Sequence, residues 1–105
     1  MQIITSEKLF EDAIAKDHYT VMKFITTWCP DCKNLNRFID EIIASHPDKD
    51  WYEINAEEFP NLSEHYEVRG VPSLLIYKNG EKVAHLHSKF AKTKPQIMEF
   101  LGTLA

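Results

Sequence analysis

The chain has 105 residues, enough for one domain around a single core. Hydrophobic residues make up 44% and charged residues 27%, the balance of an ordinary globular fold. The net charge is −4 and the basic residues never form a run, which argues against a nucleic-acid binder built on phosphate neutralisation.

Met1-Gln2-Ile3-Ile4 leads into polar Thr5-Ser6-Glu7-Lys8, with neither the basic start nor the apolar stretch of a secretion signal. The expected location is therefore cytoplasmic. The longest mostly apolar run, Val71 to Tyr77, is far too short to span a bilayer, so no membrane association is expected. Gln2–Thr5 predicts a short edge strand. Ser6–Lys16 predicts a helix with Ser6 as N-cap and Leu9, Phe10, Ala13 and Ile14 on one face. Tyr19–Thr26 is β-rich and mostly apolar, as in a central strand covered on both faces.

A helix is expected from about Cys29 to Ala44, with Leu35, Phe38, Ile39, Ile42 and Ile43 at helical spacing. Pro30 suits its first turn, where a missing N–H costs nothing. Ser45-His46-Pro47 ends it. Trp51–Asn55 predicts a strand, Leu62–Tyr66 a short helix and Ser73–Lys78 another strand. Asn79-Gly80 is a strong hairpin turn, with Glu81–His87 returning. Pro95–Leu104 predicts a last helix with Ile97, Phe100, Leu101 and Leu104 toward the core. The alternation implies an α/β fold: one mixed sheet of four to five strands, residues 1–105, with helices on both faces.

Cys29 and Cys32, the two cysteines of the chain, sit where the central strand passes into a helix. In such sheets sites gather at the carboxyl ends of strands. A structural disulfide is a poor reading, because so short a loop closes little entropy and the cytosol is reducing. A redox pair fits better. At a helix start, backbone N–H groups and the helix dipole favour the Cys29 thiolate, the species that attacks a disulfide. Cys32, one turn on and expected to be more enclosed, can attack the mixed disulfide and release the substrate. Trp28 offers a flat apolar contact beside the pair. His85 and His87 alternate on one strand face and would complete a Cys2His2 metal set, but nothing requires them to face the cysteines. They read as a solvated pair, and no metal is expected. Lys78, Lys82, Lys89, Lys92 and Lys94 read as solvated faces.

Three stretches carry a resemblance: Thr27-Trp28-Cys29-Pro30-Asp31-Cys32-Lys33 after a strand, Arg69-Gly70-Val71-Pro72-Ser73 before a strand, and Tyr77-Lys78-Asn79-Gly80 in a hairpin. Val-Pro follows the C-x-x-C by 40 residues. Over essentially its whole length the chain resembles the thioredoxin family. The resemblance implies a thiol–disulfide oxidoreductase that reduces protein or low-molecular-weight disulfides, with roles in cell redox homeostasis and electron transport. Cys29 would attack and Cys32 resolve. It implies no cofactor beyond the redox-active pair, a monomer, and recycling by a thioredoxin reductase. It also implies a cis Val71–Pro72 bond, with the Val71 backbone pairing to an extended substrate. The competing reading is a non-catalytic binding module whose Cys pair acts as a redox switch. A third is a metal carrier.

The chain departs from the family's pattern in three places. Pro30-Asp31 replaces the usual Gly-Pro between the cysteines. Asp31 puts a negative charge beside Cys29 and disfavours its thiolate, while Lys33 and the helix dipole act the other way. A reductase-like potential is the resulting expectation. The family's buried acid, six residues before the first cysteine, falls on Lys23. Its lysine partner, 19 residues before the proline, falls on Glu53. The pair is thus expected to be charge-swapped, with Glu53 taking the Cys32 proton through Lys23 or water. Finally, Ser88-Lys89-Phe90-Ala91-Lys92 stands where the family has a small Gly-Ala loop, which assigns Phe90 either to the substrate groove or to the core.

Overall fold

The computed structural model describes residues 1–104. Its core is a five-stranded mixed sheet in the order β1-β3-β2-β4-β5. The strands are β1 (Gln2–Ile3), β2 (Thr20–Ile25), β3 (Asp50–Asn55), β4 (Ser73–Lys78) and β5 (Glu81–Leu86). β1 and β2 both run parallel to β3, β4 runs antiparallel to β2, and β5 returns antiparallel to β4. The expected central strand is therefore the middle one. Its apolar residues Val21, Met22 and Phe24 are fully buried, as burial on two faces demands.

Side chains alternate across a strand, so β2 feeds two cores. Met22 and Phe24 join Phe10, Ala13 and Ile14 of α1 (Glu7–Ile14) on one face. Val21 joins Leu35, Ile39, Ile42, Ile97 and Leu101 on the other. Lys23 shares that second face, two residues on from Val21, and so enters the core as a charge.

Helix boundaries follow their caps. Ser6 accepts from the Leu9 N–H at the start of α1. Pro30 and Pro60 open α2 (Pro30–Leu35) and α4 (Pro60–His65). At the start of α5 (Lys94–Gly102), Thr93 and Gln96 form a reciprocal capping box. The Asn79-Gly80 hairpin is as expected: both residues have positive φ, 54° and 82°, which the turn requires.

One element differs from expectation. The helix predicted over Cys29–Ala44 is two helices, α2 and α3 (Ile39–Ser45), separated by Asn36-Arg37-Phe38. There the bonding tightens: the Arg37 and Phe38 N–H groups reach back three residues, to Asn34 and Leu35. Phe38, at φ −130° and ψ 0°, leaves the helical region altogether. The apolar spacing Leu35, Ile39, Ile42 runs through the break and hides it. A short 3-10 turn, Ser88–Phe90, also follows β5.

Candidate active site

The site lies where β2 ends and α2 begins. Cys29 is the N-cap of α2, and its Sγ accepts the Cys32 backbone N–H at 3.0 Å. On the other side the Cys29 thiol donates to the Val71 carbonyl at 3.6 Å. The Val71–Pro72 peptide is cis, as the resemblance implied. Both cysteines are free thiols. A groove of about 390 Å³ passes over Cys29, lined by Thr26, Trp28, Pro30 and Asp31 on one side and by Arg69, Gly70 and Val71 on the other.

Cys32 was expected to be the more enclosed thiol. The two are equally enclosed, at 3% exposure for Cys29 and 4% for Cys32, because the Val71 carbonyl closes over Cys29. The Cys32 thiol is pushed up from an ordinary 9.0 to about 12. Burial is the main cause, and the hydrogen bond with Cys29 adds to it. The Thr26 backbone N–H and the Lys23 charge oppose the shift.

Lys23 and Glu53 meet. They are register partners on β2 and β3, and Lys23 Nζ lies 3.1 Å from Glu53 Oε1. Lys23 is 1% exposed and Glu53 27%. Nζ also donates to Asn36 Oδ1 at 2.7 Å, from the turn that breaks the helix. A buried ammonium needs such partners. Asn36 went unmarked in the sequence, although it lies four residues after Cys32, one helical turn away. A depression lined by Ile3, Lys23, Asn36, Ile39, Asp40 and Glu53 opens this pair to solvent.

Asp31 is countered by a residue that the sequence assigned to a solvated face. Lys92 Nζ lies 2.7 Å from Asp31 Oδ2. Lys33, the expected counterweight, is exposed and makes no ion pair among the described residues. No local signal could have found Lys92, which is 61 residues from Asp31. Its place is set by α5: Gln96 Oε1 accepts from the backbone N–H groups of both Lys92 and Thr93.

Trp28 is largely exposed, and its indole N–H donates to Glu57 Oε1 at 2.9 Å. Glu57 is held by its own backbone N–H, which donates to Asn55 Oδ1. Phe90 is neither a groove wall nor core. It is half-exposed and lines a separate hollow with Leu86, Gln96 and Phe100, because the 3-10 turn directs it away from the cysteines. The loop instead contributes Ser88, which packs against Gly70 so closely that a Cβ there would lie 2.3 Å from Ser88 Oγ.

His85 and His87 stack with ring centroids 3.8 Å apart, on β5 and just beyond it. Only His87 is on a solvated face. His85 is half-buried, with Lys82 Nζ 3.0 Å from its Nδ1. Burial, with His87 and Lys82 nearby, lowers His85 to about 4 and keeps it neutral. Lys82 also donates to the Tyr66 carbonyl, so it is not simply solvated. Among the described residues no three His, Cys, Asp or Glu side chains converge as a metal set, and no helix is long and apolar enough to cross a membrane.

The thioredoxin family model matches residues 1–103. Thioredoxin-1 of Saccharomyces cerevisiae is 36% identical over 75 residues, covering 71% of this chain and 73% of that protein. Thioredoxin AMT13 of Alternaria alternata is 29% identical over 100 residues, covering 94% and 81%. In fold, the solved structure of Plasmodium falciparum thioredoxin aligns over all of both chains with a TM-score of 0.89 at 21% identity. A dithiol seated at the start of α2, facing a cis-proline across a groove, thus agrees with what the whole chain is similar to. The chain belongs to the thioredoxin family and is a thiol–disulfide oxidoreductase, a protein-disulfide reductase.

Proposed function

We propose that this chain reduces disulfides of extended protein segments, or low-molecular-weight disulfides, laid along the groove over Cys29. The observation that carries the reading is the position of the Cys29 sulfur, between the Cys32 N–H at 3.0 Å and the Val71 carbonyl at 3.6 Å. Ionised Cys29 attacks one substrate sulfur, and the Cys32 N–H meets the negative charge on Cys29 before attack. The Val71 backbone pairs with the substrate segment, with Pro72 behind it. Trp28 and Pro30 supply apolar contact. Cys32 then attacks Cys29 Sγ, and the reduced substrate leaves.

Cys29 and Cys32 are the redox group, and no further cofactor takes part. Recycling falls to a thioredoxin reductase, and the chain works as a cytoplasmic monomer. Glu53 accepts the Cys32 proton through Lys23, supported by the 3.1 Å contact and by the depression that opens beside it.

The test is a Cys32→Ser variant offered to cell extract. Covalent mixed disulfides at Cys29, released by reductant, are the expected result. Absence of any trapped species, with Cys29 still alkylated by iodoacetamide, overturns the reading.

A further inference from the structure

Two charged residues line the groove over Cys29: Asp31 and Arg69. They differ in state. Asp31 is held by Lys92 at 2.7 Å, so its charge is met from within the chain. Arg69 is exposed, and its guanidinium makes no ion pair among the described residues. With Lys92 set against the carboxylate it neutralises, the groove presents one unmatched positive charge, in a chain whose net charge is −4.

Arg69 is firmly mounted. Just before it, the Val68 N–H donates to the Ser63 carbonyl at 2.8 Å. Just after it, the Gly70 carbonyl accepts from the Ser73 hydroxyl at 2.6 Å, and Gly70 packs against Ser88. Its place relative to the chemistry follows from the chain. Arg69 stands two residues before Val71, whose carbonyl lies 3.6 Å from Cys29 Sγ. Paired segments advance together, by about 3.3 Å per residue. A substrate residue about two positions from the one beside Val71 therefore runs past Arg69. Arg69 also lines a second hollow, of about 400 Å³, together with Glu64 and Glu67. Neither of these acids is within ion-pair reach of the guanidinium.

We propose that Arg69 is a specificity-determining residue of the groove, pairing with an Asp or Glu carboxylate about two residues from the disulfide cysteine of an extended protein segment. This rests on the groove over Cys29 being the place where the substrate disulfide lies. A guanidinium suits the task, because its planar fork of N–H donors matches a carboxylate and keeps its charge at every working pH. The chain as a whole is acidic and does not attract such a segment from a distance. Recognition is by contact at one position, and in an exposed groove it changes the rate by a few-fold.

The experiment uses short unstructured peptides, each with one cysteine held in a thiopyridyl mixed disulfide. Ionised Cys29 bonds to the peptide sulfur, and thiopyridone leaves with the electron pair and is followed by its absorbance. The peptides are identical except for Glu, Gln or Lys at the second residue before the cysteine in one series, and at the second residue after it in the other. At low salt the wild type is expected to react about two- to fivefold faster with Glu than with Gln in one series, and slower again with Lys by a similar factor. High salt is expected to compress that ranking. Arg69→Gln is expected to erase it, and Arg69→Lys, which keeps the charge, to preserve its order. Equal wild-type rates within both series, or a ranking that survives Arg69→Gln, overturn the proposal while leaving the groove reading intact. A wild type that reacts with none of the peptides overturns the groove reading and the proposal with it, so the two failures look different.

Discussion

Lys23 and Glu53 face each other as register partners of adjacent parallel strands, one fully buried and the other open at its edge. The ammonium is held by that carboxylate and by Asn36, below the helix that carries Cys32. Removing the carboxylate's charge would leave the buried ammonium with neutral oxygens only. Glu53→Gln is therefore expected to destabilise the fold by about 2 kcal/mol, less than a fully enclosed pair because Glu53 keeps some contact with water. Urea denaturation measures this. The same variant should slow disulfide reduction several-fold at neutral pH and move the rate profile to higher pH. Identical profiles would sink the proton-accepting role of Glu53.

Asp31 and Lys92 make the opposite kind of pair, half-exposed and screened by salt. Lys92→Gln should change stability by less than about 1 kcal/mol. Its effect belongs to chemistry: an uncompensated negative charge beside Cys29 slows reaction with an anionic aromatic disulfide by about two- to fivefold at low salt, a small through-solvent charge effect. Asp31→Asn should speed that reaction. If added salt leaves both differences intact, the electrostatic explanation is wrong.

Stability of the reduced protein should fall at alkaline pH. The Cys32 thiol holds its proton to about 12 when folded, against an ordinary 9.0. Above pH 9.0 the unfolded chain releases that proton while the folded chain keeps it, so the unfolded state gains. The contribution is whole below 9.0 and declines by about 1.4 kcal/mol per pH unit above it. The oxidised protein has no such thiol. Denaturation of both forms at several alkaline pH values should show the reduced form losing stability faster. Parallel declines would contradict the placement of Cys32.

The Gly70–Ser88 approach predicts a steric effect on the groove. Gly70→Ala would bring its methyl 2.3 Å from Ser88 Oγ and 3.2 Å from Ser88 Cβ, so the loop must shift. Activity on a protein disulfide should drop, with stability reduced by about 1–3 kcal/mol, as for overpacking elsewhere. A second change, Ser88→Gly, should recover both in the double variant. A double variant as impaired as Gly70→Ala alone would locate the damage elsewhere.

What was readable from the residues alone was whatever depends on neighbours in sequence. The apolar run of β2, the Ser6 cap and the Asn79-Gly80 turn each encode their structure locally. Pairing of Lys23 with Glu53 was legible because each stands at a fixed offset from a recognisable motif. The break at Asn36-Arg37-Phe38 was not, since apolar residues keep helical spacing across it. Lys92 reaches Asp31 only through tertiary folding, and a lysine in a loop looks the same whether solvated or paired. Phe90 was ambiguous for a related reason, as a short 3-10 turn decides where its ring goes. The near-equal burial of Cys29 and Cys32 depends on a carbonyl some 40 residues away in sequence.

The Gln96 side chain grips the backbone on which Lys92 is mounted, and Lys92 grips Asp31. The last helix thereby acts as a remote setscrew on the redox turn. Loosening its first turn, for instance with Gln96→Ala, would alter thiol reactivity without touching any residue that borders the cysteines.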